Sequence, residues 1–165
     1  MVMEFGLSDD SDWFAVNDTV MGGVSQGEVT YTQDFLSFEG VVSTDSNGGF
    51  TSVRSPSEER NLEDFDRVLV RMRSEGQPFS LNLADSLFWF EGQFRFDIET
   101  TGTDWEIVEI PFEEFEYYAF NGGYPTGTGE MMGAGDRETI FHIEMMSELF
   151  QDGSFLLEID WLAFD

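Results

Sequence analysis

The sequence has no cysteine and no lysine, only 4 proline residues and a single histidine among 165 residues. Without cysteine there is no disulfide, no thiolate nucleophile and no cysteine-ligated zinc. No apolar run approaches the ~20 residues of a membrane-spanning helix. The acidic N-terminus resembles neither a signal peptide nor a transit peptide. We therefore expect a cytoplasmic protein without a transmembrane segment.

Positive charge is scarce. All 7 basic residues are arginine, against 34 Asp and Glu, which gives a net charge of -27. No basic stripe is available to neutralise phosphates, which excludes DNA and RNA as partners. The acidic residues are spread along the whole chain, which favours adaptation to a salty interior. A cationic partner is the alternative explanation.

Apolar residues are plentiful by comparison. They make up 41% of the chain and include 18 Phe. A disordered chain lacks that many large apolar groups. The length suits one domain with a sizeable core, so we expect residues 1–165 to form a single domain with a core rich in Phe.

Apolar and polar residues alternate with the period of half-buried strands. The pattern predicts strands at 36–42, 68–73, 79–83, 105–112, 140–146 and 155–164, and a pair within 88–98 broken at 91–93. Turns rich in Gly and Asn separate them, which is typical of an all-β sandwich or barrel. The Gly-rich segment 121–136 is predicted to be a long surface loop.

Several segments carry a family resemblance, in this order and spacing: WFAVNDTVMGGVSQG at 13–27, NGGFTSVR at 47–54, LNL at 81–83, WEIVEIPFEEF at 105–115 and FLLEIDWLAF at 155–164. Together they resemble the complex I intermediate-associated protein 30 family over nearly the whole chain. The VNDTVMGGVS string is the most specific of them.

The resemblance implies an antiparallel β-sandwich, a galactose-binding-domain-like jelly roll, without enzymatic activity. It implies a protein-interaction or assembly-factor role with a protein partner, since eukaryotic members assist assembly of respiratory complex I. Respiratory-complex subunits are therefore candidate partners. Carbohydrate-binding modules share the fold, so sugar binding on the concave sheet face is the alternative function. Fold similarity alone does not establish it.

The first candidate contacts for a ligand or partner are Asn17, Asp18 and Thr19. Their side chains can bond sugar hydroxyls or a partner backbone, and Gly22 and Gly23 allow close approach. The competing interpretation is structural, because Asx and Thr side chains stabilise turns. The same two interpretations apply to Asn47, which opens an Asn-Gly hairpin signal.

Three further candidates lie elsewhere in the chain. Arg54 can bind a carboxylate or phosphate, or pair with one of the many acidic neighbours. Trp89 and Tyr124 can serve as stacking platforms for sugar rings, or belong to the packed interior. By contrast, Trp105 and Trp161 lie within alternating segments and are predicted to be in the core.

The sequence offers few residues for catalysis or metal binding. His142 is the only histidine, so a catalytic triad or a zinc site has no support. With 34 acidic residues, close carboxylate pairs arise by chance and do not identify a glycosidase. We expect no catalytic residue, no metal site and no cofactor, although a structural Ca²⁺ bound by Asp and main-chain oxygen stays open.

Overall fold

The fold is described by a computed structural model covering residues 1–6, 12–88, 91–99, 102–121, 124–147 and 151–165. These residues form thirteen strands and four short 3-10 turns, without an α-helix. The strands are β1 Val2–Glu4, β2 Phe14–Asn17, β3 Gln26–Tyr31, β4 Leu36–Val42, β5 Thr51–Arg54, β6 Arg67–Glu75, β7 Phe79–Ala84, β8 Gln93–Ile98, β9 Gly102–Pro111, β10 Glu116–Asn121, β11 Tyr124–Met131, β12 His142–Ser147 and β13 Gly153–Phe164. Within these ranges, no helix is long and apolar enough to cross a membrane.

The strands form two antiparallel sheets. The six-stranded sheet has the order β3-β4-β13-β6-β9, with β1 paired to the second half of β13. The seven-stranded sheet has the order β11-β10-β8-β7-β12-β5-β2. Two layers that each bury one face against the other form a β-sandwich, which confirms the predicted fold class.

Phenylalanine fills the space between the sheets, as the composition predicts. Phe5, Phe38, Phe79, Phe112 and Phe115 are among the largest fully buried side chains. The Phe155 ring lies 4.8 Å from the Phe38 ring and 5.7 Å from the Phe79 ring, which links the two layers. Burying one such side chain stabilises the fold by about 1.5–3 kcal/mol.

The predicted surface loop at 121–136 is wrong over Tyr124–Met131, because these residues form β11 and pair with β10. Glycine explains how this segment, which has few apolar residues, forms an edge strand. A Cβ on Gly127 would lie 2.5 Å from the Glu116 carboxylate, and the Gly129 N–H donates to the same carboxylate at 2.7 Å. The segment therefore folds closely around a side chain of its neighbour.

The prediction that Trp105 and Trp161 lie in the core is also wrong, since both are half-buried. Trp105 is part of β9, and its ring lies on the outer face of the six-stranded sheet, where the Arg71 and Arg73 guanidinium carbons lie 5.0 and 4.8 Å from its ring centre. A register shift between Ile159 and Trp161 interrupts the alternation of β13. A bulge of this kind changes which face a side chain joins.

Candidate functional site

The Asp18 side chain lies at the centre of the predicted Asn17–Asp18–Thr19 site. Asp18 begins the 3-10 turn Asp18–Met21 directly after β2, and it is fully buried. Its Oδ1 accepts from the Ser25 N–H at 3.0 Å. Its Oδ2 accepts from the Ser25 hydroxyl at 2.5 Å and from the Gly49 N–H at 2.7 Å. The carboxylate is thus occupied by donors of its own chain, as the structural interpretation predicts.

Two glycines let the backbone close around this carboxylate. A Cβ on Gly23 would lie 2.4 Å from Asp18 Cγ, and one on Gly48 would lie 2.5 Å from Asp18 Oδ2. Only glycine permits so close an approach. Donors of the chain itself, the Ser25 N–H and hydroxyl and the Gly49 N–H, therefore contact both carboxylate oxygens.

Asn17 joins the same end of the molecule to β3 and β5. Its Oδ1 accepts from the Gly27 N–H at 2.9 Å and from the Thr51 hydroxyl, while its Nδ2 donates to the Gly27 carbonyl at 3.3 Å. The side chain is half-buried. It therefore fixes the point at which β2 passes into the turn.

Residues 17–25 and 43–50 meet around Asp18, and we call this region the loop end. Thr19 and Asn47 are exposed on it. Its large apolar side chains Met21 and Val24 are 47% and 49% exposed. The backbone here is strained, since Ser46 and Asn47 have φ values of 59° and 62°. Left-handed conformations in non-glycine residues cluster at functional sites.

The second polar region lies on the outer face of the seven-stranded sheet. Five side chains on neighbouring strands share one register level, and we call them the polar row: Arg54, Glu144, Asn82, Arg95 and Glu116. They face away from the core because the residues that alternate with them, such as Leu81 and Ile143, belong to it. The sequence places these residues far apart, so only the sheet register brings them together.

Arg54 and Glu144 form an ion pair in the polar row, at 2.9 Å between Nη2 and Oε1. Glu144 is 3% exposed and also accepts from the Ser52 hydroxyl. Arg54 therefore pairs with an acidic neighbour, which is one of its two predicted roles. Removing either partner of a buried pair leaves an uncompensated charge, at a cost of about 3–5 kcal/mol.

Asn82 lies in the middle of the polar row and is 1% exposed. Its Nδ2 donates to the Ser80 hydroxyl at 3.2 Å, whereas its Oδ1 has no hydrogen-bond partner within the described parts of the chain. A buried amide oxygen without a partner loses its hydration without compensation. Such atoms are rare in native structures and call for an explanation.

Arg95 is the other neighbour of Asn82 on this level, and it is 5% exposed. Its Nε donates to Asp97 at 2.6 Å, and its guanidinium carbon lies 5.2 Å from the centre of the Tyr118 ring. Both arginines of the row are thus engaged with acidic partners. Exposed apolar residues stand at its two ends, Phe14 beside Arg54 and Met131 beside Glu116.

His142 is half-buried at the start of β12. Burial lowers the pKa of its imidazole, and the nearby Arg54 guanidinium lowers that pKa further. Across the described ranges, no group of three His, Asp or Glu is arranged to hold a metal ion. His142 is therefore a neutral side chain near neutral pH rather than part of a recognised metal centre.

The predicted site residues fall into two groups. Asn17, Asp18, Thr19 and Asn47 come together at the loop end, while Arg54 lies on the sheet face. Trp89 lies outside the described residues. Tyr124 begins β11, but its side chain is not among the parts of the chain that the structure describes.

Sequence reasoning did not identify several residues of the two regions, namely Met21, Val24, Asn82, Arg95, Glu116 and Glu144. The polar residue between Leu81 and Leu83 was the available signal, because both faces of β7 are buried.

Solved structures with the same fold include carbohydrate-binding modules. A family 11 carbohydrate-binding module from Clostridium thermocellum matches with a TM-score of 0.68 at 13% identity, covering 99% of this chain and 94% of that one. The same family's module in complex with a β-1,3-1,4-mixed-linked tetrasaccharide matches with a TM-score of 0.66 at 13% identity, over 98% and 94%. An exo-β-agarase matches with a TM-score of 0.61 at 10% identity, over 100% of this chain and 25% of the enzyme. These likenesses establish the galactose-binding-like β-sandwich fold.

No curated protein sequence matches the chain significantly. The family model for complex I intermediate-associated protein 30 matches residues 3–159, which is most of both sheets. Family and fold together point to a non-catalytic domain. The matched range runs from β1 into β13 and includes the loop end and the polar row. The chain therefore belongs to the complex I intermediate-associated protein 30 family.

Proposed function

We propose that this domain is a non-catalytic protein-interaction domain of the assembly-factor type, and that it docks its partner through the loop end. The family's name supports a role in association with complex I intermediates. A respiratory-complex subunit is accordingly the expected partner, and the cytoplasm the expected compartment.

The main support for docking at the loop end is a pair of exposed apolar side chains on a loop that is held by hydrogen bonds. Met21 and Val24 are about half exposed, yet the backbone on both sides of Val24 is tied to buried Asp18, because the Gly23 N–H donates to the Asp18 carbonyl and the Ser25 N–H to the Asp18 carboxylate. A rigid loop loses little conformational entropy on binding. Apolar side chains presented in this way suit insertion into a pocket of a partner, where most binding free energy is concentrated.

The charge around the loop end indicates which charge the rim of the partner's pocket should carry. Asp45 is exposed within the loop end, and exposed Asp152 lies next to it and accepts from the Thr44 N–H at 2.6 Å. A chain with a net charge of -27 also repels acidic partners and accelerates association with basic ones. The partner should thus offer an apolar pocket bordered by Lys or Arg.

Photo-crosslinking tests this docking surface directly. We expect Met21→benzoylphenylalanine to capture one defined protein in extract at native salt, and mass spectrometry to identify it as a respiratory-complex subunit. Val41→benzoylphenylalanine is the matched control, since Val41 is 53% exposed on the six-stranded sheet. The double change Met21→Ser, Val24→Ser should abolish co-purification of that protein, and Val41→Ser should not. Equal crosslinking from both positions would refute the docking surface.

A second candidate function is carbohydrate binding on the outer face of the seven-stranded sheet. It is favoured by the polar row, in which Asn82 has an unused buried oxygen. The likeness to a module solved with a mixed-linked tetrasaccharide adds support. Calorimetric titration with that tetrasaccharide in molar KCl is its test, and an absence of binding heat together with unchanged thermal unfolding would remove it.

A further inference from the structure

We infer that the polar row is a binding site for an uncharged oligosaccharide chain laid across the strands, with the Asn82 amide as its central contact. The inference rests on the second candidate function and deepens it, because it names the atom that the ligand contacts and the charge that the ligand carries. It is independent of partner docking at the loop end.

The unused Asn82 oxygen is the first argument. The residue is 1% exposed and points away from the core, and its Oδ1 accepts no hydrogen bond from the parts of the chain that are described. An apolar residue of the same shape would avoid the lost hydration. A polar group that is retained at such a cost is explained when a ligand completes its hydrogen bonding.

The Ser80 hydroxyl limits which kind of ligand group can complete the hydrogen bonding of the Asn82 amide. Ser80 is fully buried beside Asn82 and lies 3.2 Å from its amide. A hydroxyl both donates and accepts, so Ser80 satisfies either end of an amide, and the other end is left for the ligand. A ligand hydroxyl can likewise bond either end. A chain rich in hydroxyl groups therefore fits the site in both amide orientations.

The charges of the row indicate that the ligand is uncharged. The Arg54 guanidinium is paired with Glu144, and the Arg95 guanidinium is paired with Asp97. Neither arginine offers an uncompensated positive charge to an anionic ligand. The net charge of -27 opposes the approach of an anion as well. Uronic-acid chains should consequently bind worse than neutral ones.

The row has the dimensions and borders of an extended site. Its five residues cross from β5 to β10, and with the bordering Phe14 on β2 and Met131 on β11 the span is six strand spacings of about 4.8 Å each, or about 29 Å in all. Phe14 and Met131 are each 47% exposed at its ends, and Tyr118 lies beneath Arg95. Apolar borders around a few convergent polar groups are the usual composition of small-ligand sites.

The test uses Asn82→Leu, a change of similar size that removes the amide. The probe is the β-1,3-1,4-mixed-linked tetrasaccharide, titrated by calorimetry in molar KCl, with a neutral agaro-tetrasaccharide and a tetra-uronate alongside. We expect a neutral tetrasaccharide to bind and Asn82→Leu to weaken it at least 10-fold. We also expect Asn82→Leu to raise the unfolding temperature, because it removes an unpartnered buried oxygen. A purely structural Asn82 would instead lower that temperature.

Two further variants keep the result decisive. Gln26→Leu makes the same type of exchange at an exposed position of the six-stranded sheet and should leave tetrasaccharide binding unchanged. Phe14→Ala removes an exposed border side chain without touching the core and should weaken binding about 3-fold or more, which covers the case in which Asn82→Leu does not fold.

The inference is overturned if no neutral tetrasaccharide binds, if Asn82→Leu binds like the unaltered protein, or if the tetra-uronate binds more tightly. Each of these results leaves the crosslinks from position 21 unaffected. Failure at the sheet is thereby distinguished from failure of the protein-docking proposal.

Discussion

Asp18 illustrates how one buried residue can shape an exposed surface. Its two oxygens accept hydrogen bonds from Ser25, Gly49 and, at 3.3 Å, the Phe50 N–H. These bonds join two segments that are about 30 residues apart in sequence. Hydrogen bonds to a charged acceptor contribute about 1.5–3 kcal/mol each. The conformation that displays Met21 and Val24 therefore depends on a side chain that no partner can touch.

Asp18→Asn should destabilise the domain although it preserves size and shape. One carboxylate oxygen becomes an NH₂ group that faces backbone N–H donors, so at least one hydrogen bond becomes a donor–donor contact. We expect the free energy of unfolding in urea to fall by about 2–3 kcal/mol. Asp45→Asn, a change of the same chemistry at an exposed position of the loop end, should have little effect. Equal midpoints for the two variants would contradict the role given to Asp18.

At the scale of strands, two facing glycines determine how closely β3 approaches β4. Gly27 pairs with Gly40, and a Cβ on Gly40 would lie 1.9 Å from the Gln26 carbonyl oxygen. Backbone cannot move aside as a side-chain tip can. This edge of the six-stranded sheet thus requires glycine in β4 for reasons unrelated to turns.

Gly40→Ala should displace β3 and lower the free energy of unfolding by about 1–3 kcal/mol, the usual cost of overpacking. Gly135→Ala is the matched control, because a Cβ there meets nothing within 4 Å. It should leave the urea midpoint within experimental error. Amide exchange should report the same difference locally, with faster exchange in Gln26–Tyr31 of Gly40→Ala only.

The strands that sequence analysis predicted have large apolar residues at every second position. β6 is an example, because Val68, Val70 and Met72 face the core while their neighbours do not. β2 and β11 were missed since FAVN is short and YPTGTGEM has little apolar content. Their strand conformation comes from pairing with β5 and β10, which a local pattern does not encode.

The candidate site was predictable only in part for the same reason. The Asn17–Asp18–Thr19 turn and Asn47 stand out locally, and the structure places them together. Asn82 and Glu144 become neighbours only through the register of β7 and β12. Alternation reveals which residues share a face, but the order of strands in a sheet follows from long-range packing.

Over the whole molecule, each of the few arginine side chains makes a specific contact. Six of the 7 arginines form ion pairs with Asp or Glu, and Arg137 donates to the Phe65 carbonyl while lying over the Phe112 ring. Most acidic residues consequently face solvent without a positive neighbour of their own. Their mutual repulsion opposes the compact state.

We therefore expect stability to require salt, as the salt-adaptation hypothesis proposes. The Debye length falls from about 30 Å at 0.01 M to about 3 Å at 1 M salt, which screens most of this repulsion. The urea midpoint should rise steeply between 0.1 M and 2 M KCl, and NaCl should act similarly. A midpoint independent of both salts would contradict the hypothesis and favour a cationic partner as the reason for the acidic composition.

The central position of β13 has a consequence for biosynthesis. β13 separates β4 from β6, so the six-stranded sheet consists of two unconnected ladders until residues 153–164 leave the ribosome. β4 and β6 each present an open edge of hydrogen-bonding groups during that interval, which invites pairing with other nascent chains. The six-stranded sheet therefore closes only after translation has passed β13, and the facing edges of β4 and β6 stay open to other chains until then.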